Sequence, residues 1–265
     1  MNNILNRILI EWNNSDTEDS GLIKASDTSQ YIKYRFFPKC NKELLFNIVA
    51  IIKEAYNTEK QRTEKNPIDL NIIDVSKITS FCNLFFIVKR TLNNEGVPES
   101  AWKWIDVSKW NVSNADNMAQ MFASCEHLCG IGDLSRWDVS NVRAMNYMFN
   151  SCHNLKSLGN LSKWYVSNVG ILSAEDLLED DPEQINTMRG MFEDCYKLEY
   201  IGDISKWNMI IDTDISYMFL NCKSLSWIGD DLTELKLKLR KKSIRNSVKV
   251  FENSALCGKI GLWGY

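Results

Sequence analysis

Residues 134–158, LSRWDVSNVRAMNYMFNSCHNLKSL, are the unit from which most of this chain is built. The same order of residue types begins 27 residues earlier, where residues 107–131 read VSKWNVSNADNMAQMFASCEHLCGI. It begins again 27 residues later, where residues 161–169 read LSKWYVSNV. A fixed period of roughly 20 to 50 residues is typical of repeat proteins, in which each unit buries its apolar side against the next. This repeat therefore decides the fold that we predict.

Three residue types mark the repeat along the chain. The phenylalanines are Phe85, Phe122, Phe149, Phe192, Phe219 and Phe251. The tryptophans are Trp110, Trp137, Trp164 and Trp207, and the cysteines are Cys125, Cys152, Cys195 and Cys222. The phenylalanine spacings of 37, 27, 43, 27 and 32 residues fit one period with insertions of 10, 16 and 5 residues. We therefore predict six repeats, of which the first and the last are degenerate.

Each repeat carries a pattern for one short strand and one short helical segment. The stretch IGDLSRW predicts the strand, and residues 141–149 predict one or two helical turns because Val142, Met145 and Phe149 follow helical spacing. Serines precede this segment at a position suited to N-capping: Ser113, Ser140 and Ser167. These elements predict an α/β fold, a leucine-rich-repeat-like solenoid of about six coils with short parallel strands and short helical turns.

The N-terminal region predicts a strand and a helix that cap this stack. Residues 30–37, QYIKYRFF, alternate as a strand and stop at Pro38, and residues 42–56 carry an apolar stripe of helical period. We expect the stripe to cover the open end of the repeats. The predicted organisation is a cap and connector over residues 1–66, a repeat region over 67–258 and a tail over 259–265. Within the repeat region, residues 170–185 are an acidic insertion and the last repeat is basic.

Composition gives few functional clues. A net charge of −3 offers no general argument for nucleic acid, and no apolar run approaches the roughly 18 residues that a membrane span needs. The first residues lack the long apolar stretch of a signal peptide, so we expect a cytoplasmic protein with reduced thiols.

The repeat resembles a known family at several fixed positions. Residues 133–152, DLSRWDVSNVRAMNYMFNSC, and 203–222, DISKWNMIIDTDISYMFLNC, are similar to the BspA-like bacterial leucine-rich-repeat surface proteins. The same repeat defines a domain of unknown function in mycoplasma lipoproteins. The resemblance covers about residues 68–251 and implies a repeat protein that binds proteins or other macromolecules, often in adhesion to host surfaces. It implies no catalytic residues, and it leaves the cell surface as the alternative location.

Polar columns on the predicted strand face are the candidate binding site. Residues one repeat apart form an acidic column, a basic column three residues further on, and a serine column between them. From these we predict that a partner contacts Asp106, Asp133, Asn160, Asp203, Ser135, Ser162, Ser205, Arg136, Lys163 and Lys206. The open alternative is a solvated surface on which the opposite charges neutralise each other.

Two non-repeating segments add charge. The insertion at residues 170–185 carries Glu179, Asp180 and Asp181, which we add to the predicted binding residues because insertions in repeat proteins often lie on the binding face. A tolerated surface loop is the alternative. Residues 235–249 are basic and predict either a lysine-guarded edge strand or an electrostatic contact.

The repeated tryptophans and cysteines each allow two interpretations. The tryptophans predict a stacked core ladder, with an aromatic strip for ligands as the alternative. The cysteines predict small buried side chains. The alternative is a zinc site from Cys125, His127, Cys129, Cys152 and His153, but CEHLC is not a paired CxxC pattern, so we predict no metal and no cofactor. Neither histidine has a visible partner for a general-base role.

Together these patterns predict a monomeric, non-catalytic module that binds a protein partner, with no nucleic acid and no membrane span. Two alternatives remain open. One is a cell-surface adhesin or virulence-type protein that binds a host. The other is an enzyme whose site lies in the N-terminal region.

Overall fold

The structure is a computed structural model that describes residues 41–58, 62–170, 188–205, 207–210, 213–230 and 249–257. Its regular elements are helix α1 (Asn41–Asn57), strand β1 (Ile68–Asp69), helix α2 (Leu84–Asn94) and strand β2 (Ile105–Asp106). Two 3-10 helices add Glu99–Trp102 and Leu161–Lys163. Strands β1 and β2 pair in parallel, with Ile68 opposite Ile105 and Asp69 opposite Asp106.

Helix α1 confirms the helix predicted over residues 42–56. Its stripe of buried residues includes Leu44, Ile48 and Ile52, each fully buried. The helix packs against α2, β1 and the 3-10 helix Glu99–Trp102, so its apolar face covers the first repeat, as the stripe predicted. The strand predicted at residues 30–37 lies outside the described residues.

The predicted α/β solenoid of six coils is wrong. In the described residues the α-helices are α1 and α2, and the only sheet has the two short strands β1 and β2. Neither a strand nor a helical turn therefore recurs in every repeat. The segment 141–149, predicted as helical, consists of turns: Val142 N–H donates to Val139 O at 3.0 Å and Met148 N–H to Met145 O at 3.2 Å.

The hydrogen bonding of the Met-Phe segment explains why no helix forms there. The N–H of each marker phenylalanine donates to the next repeat, at the carbonyl just before the next phenylalanine. These bonds join Phe85 to Met121, Phe122 to Met148, Phe149 to Met191, Phe192 to Met218 and Phe219 to Val250, at 2.8 to 3.0 Å. An α-helix would need the same N–H groups for carbonyls four residues back. Hydrophobic spacing predicted burial here but could not reveal where the N–H groups bond.

A left-handed backbone residue also interrupts each turn. Two columns have positive φ, and one includes Tyr147 at 56° while the other includes Ser151 at 58°. A right-handed helix cannot contain such residues. The chain therefore advances by tight turns, each bonded to its counterpart in the neighbouring repeat.

Two aromatic columns run through the core along the repeats. All six marker phenylalanines stack in order, with centroids 4.5 to 5.6 Å apart and planes within 11°. Trp137 stacks on Trp164 at 6.5 Å, and Trp164 on Trp207 at 6.3 Å. Trp110 instead contacts the rings of Phe81 and Phe85. The tryptophans are 2 to 4% exposed, which confirms the core ladder and contradicts the ligand-binding strip.

The Val-Ser-Asn segment bonds differently from the predicted N-caps. Asp138 Oδ1 accepts from Ser140 N–H at 3.0 Å, so this serine receives a cap from its neighbour. The asparagine that follows each serine reaches back one repeat: Asn114 Nδ2 donates to Ser76 O and Asn141 Nδ2 to Ser113 O, both at 2.7 Å. Because these serines precede turns, they cap no helix.

Candidate functional site

The predicted acidic column shapes the turn that begins each repeat. Each side chain accepts a hydrogen bond from the N–H of the serine two residues later, which is an Asx turn. The bonds join Asp106 to Ser108, Asp133 to Ser135, Asn160 to Ser162 and Asp203 to Ser205, at 2.8 to 3.0 Å. Asn fills the position as well as Asp does because the turn needs only the shared Oδ1 acceptor.

A glycine from the following repeat packs against each of these oxygens. Gly132, Gly159, Gly202 and Gly229 all have positive φ, and an added Cβ would overlap the Oδ1 atom of the column residue one repeat earlier. The acidic column and the glycines thus form one structural unit. The predicted role of this column in partner binding has to share its Oδ1 atoms with this turn.

The basic column is more available to a partner. Lys109, Arg136 and Lys163 are exposed, as are Asp133 and Asn160. Asp106 and Asp203 are half-buried, as are Ser135, Ser162 and Ser205, and Ser205 Oγ donates to Asp203 Oδ1 at 2.6 Å. Lys206, Glu179, Asp180 and Asp181 lie outside the described residues, as does most of the basic segment 235–249.

Opposite charges in the two columns do not form ion pairs in the described part of the chain. The pairs found there involve residues of the first repeat, α1, and residues near 189, 214 and 250. The side chains of Lys109, Arg136 and Lys163 belong to none of them. Close self-neutralisation, the alternative interpretation of this surface, is therefore not built at these three positions.

The repeated cysteines are core residues that bond to the preceding repeat. Cys152 Sγ donates to Phe122 O at 3.2 Å, Cys195 Sγ to Phe149 O at 3.1 Å and Cys222 Sγ to Phe192 O at 3.0 Å. Burial raises the pKa of these three thiols and of Cys125. All described cysteines are free thiols, and the described residues hold no group of three potential metal ligands.

A buried ionic cluster near α2 escaped the sequence analysis. Lys89 Nζ donates to Glu126 and to Ser124 O (2.6 Å), and lies 3.2 Å from Glu99 Oε1. His127 Nδ1 lies 3.2 Å from Glu99 Oε2, and the imidazole meets the Trp102 ring edge-on at 4.0 Å. Burial lowers the pKa of Lys89, but its hydrogen bonds to Glu126 and Glu99 outweigh that effect and raise it.

His127 in this cluster is neutral at neutral pH. Burial lowers its pKa to about 4 against the attraction of Glu99. The carboxylate partner that the sequence did not show comes from the 10-residue insertion after the first repeat, so the repeat pattern could not place it. The imidazole side chain is only 6% exposed, which favours a structural role.

Exposed aromatic residues form a second feature that the sequence analysis missed. Tyr200 is 42% and Trp227 is 39% exposed, and their rings stack at 6.4 Å with planes 2° apart. His153 stacks on Tyr196 at 4.6 Å, and Lys223 Nζ lies 5.1 Å from the centre of the Tyr196 ring. These pairs occupy the same two positions in successive repeats, a signal present in the sequence once the repeats are aligned.

A family model matches residues 52–180 and 174–257 of the chain, under the description "Mycoplasma protein of unknown function, DUF285". The chain belongs to this family. The match covers the whole repeat region and identifies a bacterial, mycoplasma-type repeat protein, the coarser part of the resemblance noted above. No curated protein and no solved structure matches the chain.

Neither helix in the described part of the chain has the length and apolar character that a membrane crossing requires.

Proposed function

We propose that this member of the family is a non-catalytic module that binds a protein partner across the face where successive repeats begin. The observation that supports this is the exposed basic column Lys109, Arg136 and Lys163, whose side chains form no ion pair with a described residue. Side chains on consecutive repeats lie at a regular spacing, set by phenylalanine centroids about 5 Å apart. Such a row suits a large, shallow partner.

The same geometry refines the roles within the predicted site. The Asx turns fix the backbone of the column residues, so Asp133 and Asn160 act mainly as a rigid support. Arg136 and Lys163 then offer charges whose positions are defined at the backbone. Exposed charges of this kind contribute mostly to association rate and to selectivity, because water screens them in the free protein.

A non-catalytic role is supported by how the repeat uses its reactive side chains. The four column cysteines are buried, and their raised pKa values disfavour the nucleophilic thiolate. His127 is enclosed by Trp102 and Glu99. Each of these groups serves packing in the described structure.

The test is quantitative affinity capture with the full chain as bait. The double variant Arg136→Glu/Lys163→Glu should lose partners that the wild type retains, with at least a ten-fold drop in recovery. The control Lys77→Glu/Arg90→Glu changes two other exposed cations and should keep those partners. Equal recovery by all three proteins would exclude the basic column. Deletion of residues 171–185 tests the proposed part of the acidic insertion separately.

The closer kinship with BspA-like proteins belongs to the same proposal. It is supported by the fixed order of tryptophan, Val-Ser-Asn, Met-Phe and cysteine in each full repeat. A cytoplasmic, monomeric protein remains our prediction, and a surface adhesin remains its rival. Protease treatment of intact cells decides between the two locations, because only a surface protein would be cleaved. Size-exclusion chromatography with light scattering measures the oligomeric state.

A further inference from the structure

The second surface of interest is the aromatic–lysine patch, formed by His153, Tyr196, Lys197, Tyr200, Lys223 and Trp227. From this patch we infer that the protein has a binding site for an acidic peptide segment of another protein, one in which carboxylates alternate with apolar side chains. The site is distinct from the basic column at the start of the repeats and does not depend on it.

The first argument is the exposure of large aromatic side chains that the core does not need. The tryptophans of the repeat column are almost fully buried, whereas Trp227 is 39% exposed and stacks on the equally exposed Tyr200. Tryptophan and tyrosine are enriched among the residues that carry the binding energy of protein interfaces. An exposed stacked pair on a well-packed repeat is therefore a strong candidate for such a contact.

The second argument is the orientation of the rings. The Tyr200 and Trp227 planes differ by 2°, and those of His153 and Tyr196 by 17°, so the ring faces are turned towards each other. An incoming molecule consequently meets ring edges, which carry partial positive charge. Ring edges favour carboxylate and carbonyl oxygens and disfavour a flat sugar, which needs an open ring face.

The third argument is charge. Residues 153–157, 196–200 and 223–227 contain three exposed lysines, Lys156, Lys197 and Lys223, against one exposed carboxylate, Glu199. Asp230 at the margin already accepts from Trp227 Nε1 at 2.8 Å. The patch is thus locally positive on a chain whose net charge is −3. An acidic partner matches it, and the apolar flanks of Tyr200 and Trp227 match the residues between the carboxylates.

The fourth argument is that the lysines are held in place before binding. Lys197 Nζ donates to Asn154 Oδ1 at 2.7 Å, and Lys223 lies over the Tyr196 ring. Neighbouring repeats fix these contacts through a parallel bridge between Ser157 and Tyr200. A partner therefore has fewer side-chain rotamers to immobilise on this surface than on one with free lysines.

The test uses the full chain and two fluorescein-labelled synthetic peptides of equal length. One alternates glutamate with leucine, and the other alternates glutamine with leucine. Fluorescence anisotropy should show saturable binding of the glutamate peptide, weakened by added salt, and at least ten-fold weaker binding of the glutamine peptide. Trp227→Ala and Lys223→Glu should each weaken binding of the glutamate peptide about ten-fold.

Matched controls keep the result interpretable. Tyr165 is 55% exposed and lies outside the patch, so Tyr165→Ala should bind as the wild type does. Arg136→Glu/Lys163→Glu, which tests the proposed function, should also leave peptide binding unchanged. Circular dichroism establishes that each variant is folded, and Lys223→Glu changes only an exposed lysine if Trp227→Ala does not fold. The inference is overturned if the wild type shows no saturable binding up to millimolar peptide. It is equally overturned if folded Lys223→Glu binds with wild-type affinity, or if only the basic-column variant loses binding.

Discussion

At the scale of single residues, the repeat is specified by close backbone packing as much as by apolar side chains. Gly159 illustrates this, because its φ of +83° belongs to the left-handed region and its Cα hydrogen faces Asp133 Oδ1. The Asx turn of one repeat and the glycine of the next therefore depend on each other. Either residue alone would carry only a weak sequence signal.

The substitution Gly159→Ala should destabilise the protein more than Gly96→Ala. Gly96 has a similar φ of +78° but no atom within 4 Å of an added Cβ, so it measures backbone strain alone. We expect a loss of about 1 kcal/mol for Gly96→Ala from the left-handed conformation. Gly159→Ala should lose roughly 2 kcal/mol more because it also displaces Asp133. Urea denaturation measures both, and equal losses would show that the contact with Asp133 is unimportant.

The cysteines provide a second prediction at this scale. Cys257 is exposed, whereas Cys125, Cys152, Cys195 and Cys222 are buried with raised pKa values. A maleimide should therefore label Cys257 quickly in the folded protein and the four column thiols only after unfolding, because the thiolate is the reactive form. Peptide mapping by mass spectrometry, with a urea-unfolded sample as control, measures the order. Rapid labelling of Cys152 in the folded protein would contradict the packing described here.

At the scale of elements, the sequence predicted positions better than it predicted conformation. Val142, Met145 and Phe149 were expected to face inward and are fully buried, yet they lie on turns and not on a helix. Helical spacing and a series of tight turns can bury the same positions. Only the partners of the N–H groups distinguish the two, and those partners are a repeat away. Helix α1 was predicted nearly to its ends because its hydrogen bonds are local and its apolar stripe is long.

The candidate site shows the same division. Spacing alone placed Asp133, Arg136, Asn160 and Lys163 on one exposed surface, because residues one period apart must align. Spacing could not reveal that the oxygens of Asp133 and Asn160 are already bonded to serine N–H groups. The contact of His127 with Glu99 was also beyond it, since these residues meet only through the insertion after α2.

The cluster around His127 makes stability depend on pH. Its folded pKa of about 4 lies below the ordinary value of 6.5, so the folded state resists protonation more than the unfolded state does. The contribution is full above pH 6.5 and is lost as the pH falls towards 4. At roughly 1.4 kcal/mol per pKa unit, the loss approaches about 3 kcal/mol. The groups that face this imidazole are Glu99, Lys89 and Glu126, and the lowered pKa of Glu99 adds a loss of the same sign at lower pH.

Urea denaturation at several pH values between 7 and 4 measures this effect. The wild type should lose stability over this interval, and His127→Gln, which cannot be protonated there, should lose clearly less. His153→Gln removes the other histidine of the chain and should behave as the wild type does. If His127→Gln retains the full pH dependence, other groups are responsible for it.

At the scale of the whole molecule, contacts along the phenylalanine column are between neighbours. Each marker ring stacks on the ring before and after it, and each marker N–H bonds to the following repeat. Chains of this kind behave as a row of units coupled mainly to their nearest neighbours. A local defect should therefore loosen the adjoining repeats before it affects distant ones, unless the coupling is strong enough to unfold all of them together.

Native-state hydrogen exchange on two mirror-image variants distinguishes these cases. Phe219→Ala should speed exchange at the N–H groups of Phe192 and Asn221 and leave that of Phe85 close to its wild-type rate. Phe122→Ala should do the reverse, speeding Phe85 and sparing Asn221, because each variant removes a buried ring at a different end of the column. Each loss is worth roughly 3 to 5 kcal/mol, enough to change exchange rates measurably. A uniform rise at all these amides in both variants would mean that the repeats open as one cooperative unit, and nearest-neighbour coupling would then fail as a description of this protein.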